Sequence, residues 1–166
     1  MTPPVEVKRS MPIAPIIAGI GGILAIVEAF LVWEAVTISP VVSAAMGADT
    51  PKSLSGLDMD ANWVKISIVL GIIVLVLAAA WFMRIRIPAI AVIVTLVGVA
   101  LLLVALLGTS RSLDDLKKFN DAMDGLKAAG ANIGDTSATF GLGLICDVVA
   151  GVVVIAGGLI GVLRKS

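Results

Sequence analysis

The feature that most constrains this chain is the apolar run near its C-terminal end. Residues 140–163 read FGLGLICDVVAGVVVIAGGLIGVL and contain a single acidic or basic side chain, Asp147. An α-helix rises about 1.5 Å per residue, so a run of this length can cross a hydrocarbon layer of about 30 Å. The run therefore predicts a membrane-spanning helix.

Three further apolar runs precede it, at about 12–36, 62–83 and 88–108. Hydrophobic residues make up 59% of the 166 positions, above the 45–50% or so of soluble domains, and the excess is explained by four spans. The first run is too long for the apolar part of a cleaved signal peptide, so we expect it to be retained as a span. We predict one all-α integral membrane domain, an antiparallel four-helix transmembrane bundle.

The two connections on the predicted outer side differ in kind. Residues 37–61 mix polar residues with Pro and Gly and are predicted to be a loop. Between spans three and four, apolar residues recur every three or four positions among charged ones, which predicts an amphipathic helix over about 113–129. Ser112 and Asp115 match a capping box at its start, and Gly130 is a typical stop at its end. The apolar stripe, expected to dock on the protein's own loop or on another subunit, consists of Leu113, Leu116, Phe119, Met123 and Leu126.

The basic residues predict the orientation of the chain. They concentrate in the N-terminal tail, in the turn after span two and in the C-terminal tail, whereas the opposite loops mix them with aspartates. By the positive-inside rule both termini are expected in the cytoplasm and the amphipathic helix outside. Compact loops and the near absence of cysteine favour a prokaryotic plasma membrane. Near the span ends, Trp33, Trp63 and Trp81 are candidate interfacial anchors.

Three ionisable groups lie inside the predicted spans: Glu28, Lys65 and Asp147. Counted from the outer ends of their spans, all three fall at one level in the outer third of the bilayer. Charges at such depth are costly, so they usually face the bundle interior and pair. The cluster is either a buried ion pair or polar clasp that fixes helix register, which we favour, or an ion or proton site with Lys65 as counter-charge. A third possibility is that one carboxyl group is protonated and neutral, since removal from water raises the pKa of an acid. Helix rotation is not fixed by the pattern, so their mutual contact stays open.

Small residues recur at helix-packing spacing in the first and last spans. The candidate packing positions are Gly22, Ala25, Gly151, Gly157 and Gly161. Such positions let helix backbones approach closely, either within one chain or between chains. Contacts between chains would include other membrane subunits and also further copies of this chain.

The sequence offers no constellation for catalysis or cofactor binding. It has no His, one Cys, a net charge of zero and no nucleotide-binding or zinc motif, so we expect no cofactor, no resident metal and no nucleic-acid partner. The expected partners are the lipid bilayer and other integral membrane subunits. The leading hypothesis is a non-catalytic accessory or scaffolding subunit of a membrane complex.

Two alternatives stay open. The first is a small ion- or proton-coupled transporter, or a channel-forming oligomer, that uses Glu28 and Asp147. The second is an enzyme at the outer surface with a metal held by Asp58, Asp60 and Asp135, for which solvated loop charges are the better explanation.

Overall fold

The computed structural model describes residues 12–46, 53–59, 61–83 and 89–163. The chain is mostly helical, and four of the described helices are long and apolar enough to cross a membrane, as the sequence predicts. These helices are α1 (Ile13–Val27), continued by a 3-10 turn at Glu28–Phe30, then α3 (Asn62–Phe82), α4 (Ile90–Ala128) and α5 (Leu142–Leu163). The three basic segments that predict the orientation, and Asp60, lie outside the described residues.

The apolar helices pack closely against one another. Helix α5 packs against α1 and α4. Helix α3 packs against the same two helices, α1 and α4. Buried Val74, Val94 and Val154 come from α3, α4 and α5 and meet in one core cluster, together with small residues of α1 and α3. The interior therefore combines β-branched side chains with close backbone contacts.

A small sheet lies beside the helix ends, and it departs from the all-α prediction. Strands β1 (Val32–Thr37), β2 (Ser53–Ser55) and β3 (Ser137–Phe140) pair antiparallel in the order β2–β1–β3. The first span was predicted to continue to Val36, but its helical part ends at Phe30; the last helix begins at Leu142 rather than Phe140. β-Branched and aromatic residues of β1 favour a strand, and hydrophobicity alone does not separate a strand from a helix end.

The segment 37–61, predicted to be a loop, contains regular secondary structure among its described residues. Besides β2 it contains a short helix, α2 (Pro40–Met46). After β2 the chain turns, and Asp58 accepts hydrogen bonds from the backbone N–H and the hydroxyl of Ser55, at 3.0 and 2.7 Å. These bonds lower the pKa of Asp58 below its ordinary value.

Helix α4 is far longer than the predicted third span. It contains 39 residues, which corresponds to about 58 Å, so the predicted amphipathic helix is its second half rather than a separate element. The predicted capping box at Ser112 is wrong because a helix that is already formed has no free N–H groups there to cap. The predicted stop is confirmed: Gly130 adopts a φ of 86°, and its N–H donates to the carbonyl of Lys127.

The C-terminal half of α4 covers one edge of the sheet. Leu116 is buried, and the Asn120 side chain binds both backbone groups of Ala138 in β3. Its amide nitrogen donates to the Ala138 carbonyl at 2.9 Å, and its oxygen accepts from the Ala138 N–H at 2.8 Å. One amide thus takes the place of a neighbouring strand and protects an edge that would otherwise be open to pairing.

Replacing Asn120 by Ala is expected to loosen β3 from α4. Both backbone groups of buried Ala138 would lose their partner, at a cost of about 1–3 kcal/mol in the free energy of unfolding. Hydrogen exchange at the Ala138 amide should become faster, measured by mass spectrometry on the detergent-solubilised protein. Asn132→Ala, at an exposed position, is the matched control; equal exchange in the two variants would contradict the role given to Asn120.

Candidate functional site

The candidate site is a pair of carboxyl groups, Glu28 and Asp147, enclosed between the apolar helices. Glu28 is the first residue of the 3-10 turn that continues α1, and Asp147 lies in the second turn of α5. Both residues are 0% exposed, and they lie close enough for direct charge–charge interaction. The structure therefore brings together two of the three ionisable groups that the sequence singles out.

A hydroxyl from a third helix completes the site. Ser67 of α3 is fully buried, and its Oγ donates to Oδ1 of Asp147 at 3.2 Å. The other three carboxyl oxygens, Oε1 and Oε2 of Glu28 and Oδ2 of Asp147, have no hydrogen-bond partner among the described residues. The pair is thus enclosed but poorly supplied with donors.

Lys65, the third ionisable group of the predicted cluster, lies on the side of α3 opposite to Ser67. Its side chain is exposed and makes interactions of its own, whereas Ser67 points into the interior. Residues two positions apart on a helix point in nearly opposite directions, so the two side chains cannot both face the pair. The buried positions Val64, Ser67, Gly71, Val74 and Ala78 recur with helical periodicity, and this signal could have identified Ser67.

Trp33 packs over the turn that carries Glu28. Its indole is fully buried, and Nε1 donates to the backbone carbonyl of Glu28 at 2.9 Å. Gly56 and Gly143 lie directly against the ring: a Cβ at Gly56 would come within 2.8 Å of Nε1, and one at Gly143 would overlap the ring. Trp33 is therefore a buried link between the sheet and the helices, and its role as an interfacial anchor stays a prediction.

The other two tryptophans lie at opposite ends of α3, as the sequence indicates. Trp63 packs against Gly108, and the guanidinium of Arg111 lies 5.4 Å from the centre of its ring. At the far end, Trp81 contacts Gly161 of α5. Both rings are partly buried by neighbouring helices and so contribute to packing as well as to any membrane boundary.

The predicted packing residues are all used inside this chain. A Cβ at Gly22 would lie 3.0 Å from the Gly71 carbonyl, and one at Gly157 would lie 2.6 Å from the Ala18 nitrogen. Gly151 faces the backbone of α4, Gly161 faces Trp81, and Ala25 is buried in a cluster with residues of α4 and α5. These small-residue helix faces are therefore filled by contacts within the chain. They do not present a free surface for the contact with other subunits that the leading hypothesis expects.

The apolar stripe in the C-terminal half of α4 packs mainly against the protein's own sheet. Leu116 is buried, and Phe119 and Met123 are partly buried. Leu113 and Leu126 remain 45% and 46% exposed. The sequence leaves two docking surfaces open, the protein's own loop and another subunit. In the structure, the centre of the stripe packs against the chain's own sheet.

The remaining acidic groups near the sheet are separate from the pair. Burial raises the pKa of Glu34, the nearby Ser112 hydroxyl lowers it, and repulsion from Asp115 raises it further. Asp58 is engaged in its own turn, and Asp135 is exposed. Among the described residues, no three His, Cys, Asp or Glu side chains lie together as a metal-binding group.

Comparison with protein-family models, with curated proteins and with solved structures found no match to this chain. The function is therefore inferred from the geometry of the chain itself.

Proposed function

We propose that the chain is an integral protein of a prokaryotic plasma membrane, with its four apolar helices as an antiparallel transmembrane bundle and both termini in the cytoplasm. Large apolar side chains line the outward faces of all four helices, including Ile20, Val76, Leu96 and Leu159. So much exposed apolar surface is typical of a lipid-facing protein. The sheet and residues 109–128 of α4, together called the outer platform, then lie outside the hydrocarbon layer.

Within that membrane the chain acts as a non-catalytic accessory or scaffolding subunit that contacts its partner through the outer platform. One observation carries this proposal: the last two turns of α4 project past the sheet. From Asp121 to Ala128 every residue except Met123 is exposed, and Leu126 is among the exposed ones. Because the small-residue faces are occupied within the chain, the exposed end of α4 is the surface that we assign to a protein partner.

The charges around this helix end favour a protein partner over a lipid surface. Residues 112–128 carry four acidic side chains, Asp114, Asp115, Asp121 and Asp124, and three basic ones, Lys117, Lys118 and Lys127. Helices that bind anionic lipid carry an excess of basic residues on their polar face, which is not the case here. A surface with both signs of charge around an apolar side chain resembles a protein–protein interface.

Purification of the native protein in a mild detergent tests this role. We expect a particle heavier than the chain alone, containing at least one other integral membrane protein. Leu126→Gln should weaken the association by about tenfold, since burying a leucine contributes about 1.5–3 kcal/mol. Ala128→Gln, on the opposite side of the same helix, is the control and should leave the particle unchanged. A homogeneous particle built only from this chain would contradict the accessory role.

The buried carboxyl pair favours the second candidate, a small ion- or proton-coupled transporter or channel-forming oligomer. Reconstituted vesicles should then show a pH-dependent ion flux that Glu28→Gln abolishes. Asp114→Asn, at an exposed position of the outer platform, is the control and should retain full flux. Equal flux in wild type and Glu28→Gln would remove this candidate.

A further inference from the structure

We propose that Glu28, Asp147 and Ser67 form an occluded proton-binding site, in which the two carboxyl groups hold at least one bound proton at neutral pH. The inference goes beyond the accessory role and does not depend on transport. It rests on the enclosure of the pair, on the unmet hydrogen bonds of its oxygens and on the charges that surround it.

Enclosure makes the ionised pair costly. Both carboxyl groups are 0% exposed, and the three residues of the site come from three different elements packed together. A carboxylate removed from water needs several donors or a counter-charge, and two carboxylates side by side also repel each other. Here the Ser67 hydroxyl donates to Asp147, whereas the nearby Trp33 N–H donates to the backbone carbonyl of Glu28 rather than to its carboxyl group. A proton removes one charge and supplies a new donor at the same time.

The neighbouring elements bring no buried counter-charge to the pair. On α1 and α5 the described residues contain no ionisable group besides the pair itself and Cys146, and residues 90–110 of α4 contain none. On α3, Lys65 lies on the exposed side, away from Ser67. Arg111 of α4 lies over the Trp63 ring, and Glu34 of β1 interacts with Ser112 and Asp115.

A proton fits this donor set better than a metal ion. Calcium takes six to eight oxygen ligands, and sites for hard cations draw on backbone carbonyls and waters as well as carboxylates. The site offers two carboxyl groups and one hydroxyl, and no third acidic, His or Cys side chain joins them in the described part of the chain. The experiments must therefore distinguish the binding of a proton from the binding of a metal ion.

Infrared spectroscopy of the full chain in lipid vesicles tests the proposal directly. A protonated carboxyl group has a C=O stretching band separate from that of carboxylate, and the band shifts when water is replaced by D₂O. We expect this band at neutral pH in the wild type. Glu28→Gln and Asp147→Asn should each diminish it, whereas exposed Asp114→Asn should leave it unchanged.

Glu34 is the one further carboxyl group of the described residues that is not fully exposed, so its contribution is removed with Glu34→Gln. If either site variant fails to fold, the infrared spectrum of the Glu34→Gln protein still tests the proposal, because the remaining described carboxyl groups are exposed to water. A band that disappears with Glu34→Gln, or its absence from the wild type, would overturn the proposal.

Thermal unfolding gives an independent readout with a defined sign. If the folded site binds more protons than the unfolded chain, stability must fall as pH rises. The midpoint should fall from mildly acidic to mildly alkaline buffer in the wild type, and the Glu28→Gln, Asp147→Asn double variant should lose most of this dependence. A midpoint that instead rises on addition of sodium or calcium chloride, in the wild type alone, would identify a metal-ion site and refute proton binding.

Discussion

Replacing Trp33 by Ala is expected to separate the sheet from the helix ends and to lower the free energy of unfolding by about 3–5 kcal/mol. Trp33 is the largest fully buried side chain among the described residues. It packs in one cluster with residues of the 3-10 turn, α3 and α5. The Glu28 carbonyl would keep a hydrogen bond from the Leu31 N–H, so the loss is mainly one of packing. Unfolding titrations in mixed detergent micelles measure the change.

The control for this prediction is Phe30→Ala, which removes an aromatic ring of the same segment that is 65% exposed. Its cost should be within about 0.5 kcal/mol in detergent, as for ordinary surface substitutions. Trp33→Phe separates packing from hydrogen bonding: it keeps most of the ring and loses the N–H donor, at a cost near 1 kcal/mol. Similar costs for Trp33→Ala and Phe30→Ala would mean that Trp33 does not link the sheet to the helices.

The four apolar helices could be predicted from sequence because their length and composition leave few alternatives. The sheet could not, because β1 continues the same apolar run without a break, and its partners β2 and β3 are only three and four residues long. Pairing between segments so distant in the chain leaves no local pattern at either one. The long α4 was missed for a related reason: a change from apolar to amphipathic composition was interpreted as a break in the helix.

The candidate site was predictable in part. Glu28 and Asp147 stand out as isolated acids in apolar runs, and the structure brings them together. For the third group, charge draws attention to Lys65, whose contact with the pair the sequence leaves open, and the rotation of α3 places Ser67 against Asp147. The rotation of a helix about its axis depends on which small residues it places against the neighbouring helix. It therefore cannot be derived from the sequence of one helix alone.

Replacing Gly151 by Leu is expected to force α4 and α5 apart, with a loss of stability at or above the upper end of the 1–3 kcal/mol or so usual for overpacking. A Cβ at this position would lie 2.8 Å from the Cα and 2.9 Å from the nitrogen of Leu102. The obstacle is backbone, so no change of side-chain rotamer relieves it. The effect should be measured as the free energy of unfolding in micelles and as exposure of the buried site to D₂O.

Gly125 provides the matched control on a helix of the same protein. A Cβ there meets nothing within 4 Å, so Gly125→Leu should be neutral or should stabilise the exposed helix end by up to about 1 kcal/mol, because glycine is a poor helix former. The two substitutions are chemically identical and differ only in what the new side chain meets. Opposite signs would therefore locate the origin of stability in the contact between α4 and α5. A loss of similar size at both positions would contradict the close packing of Gly151 and, with it, the enclosure on which the proton site depends.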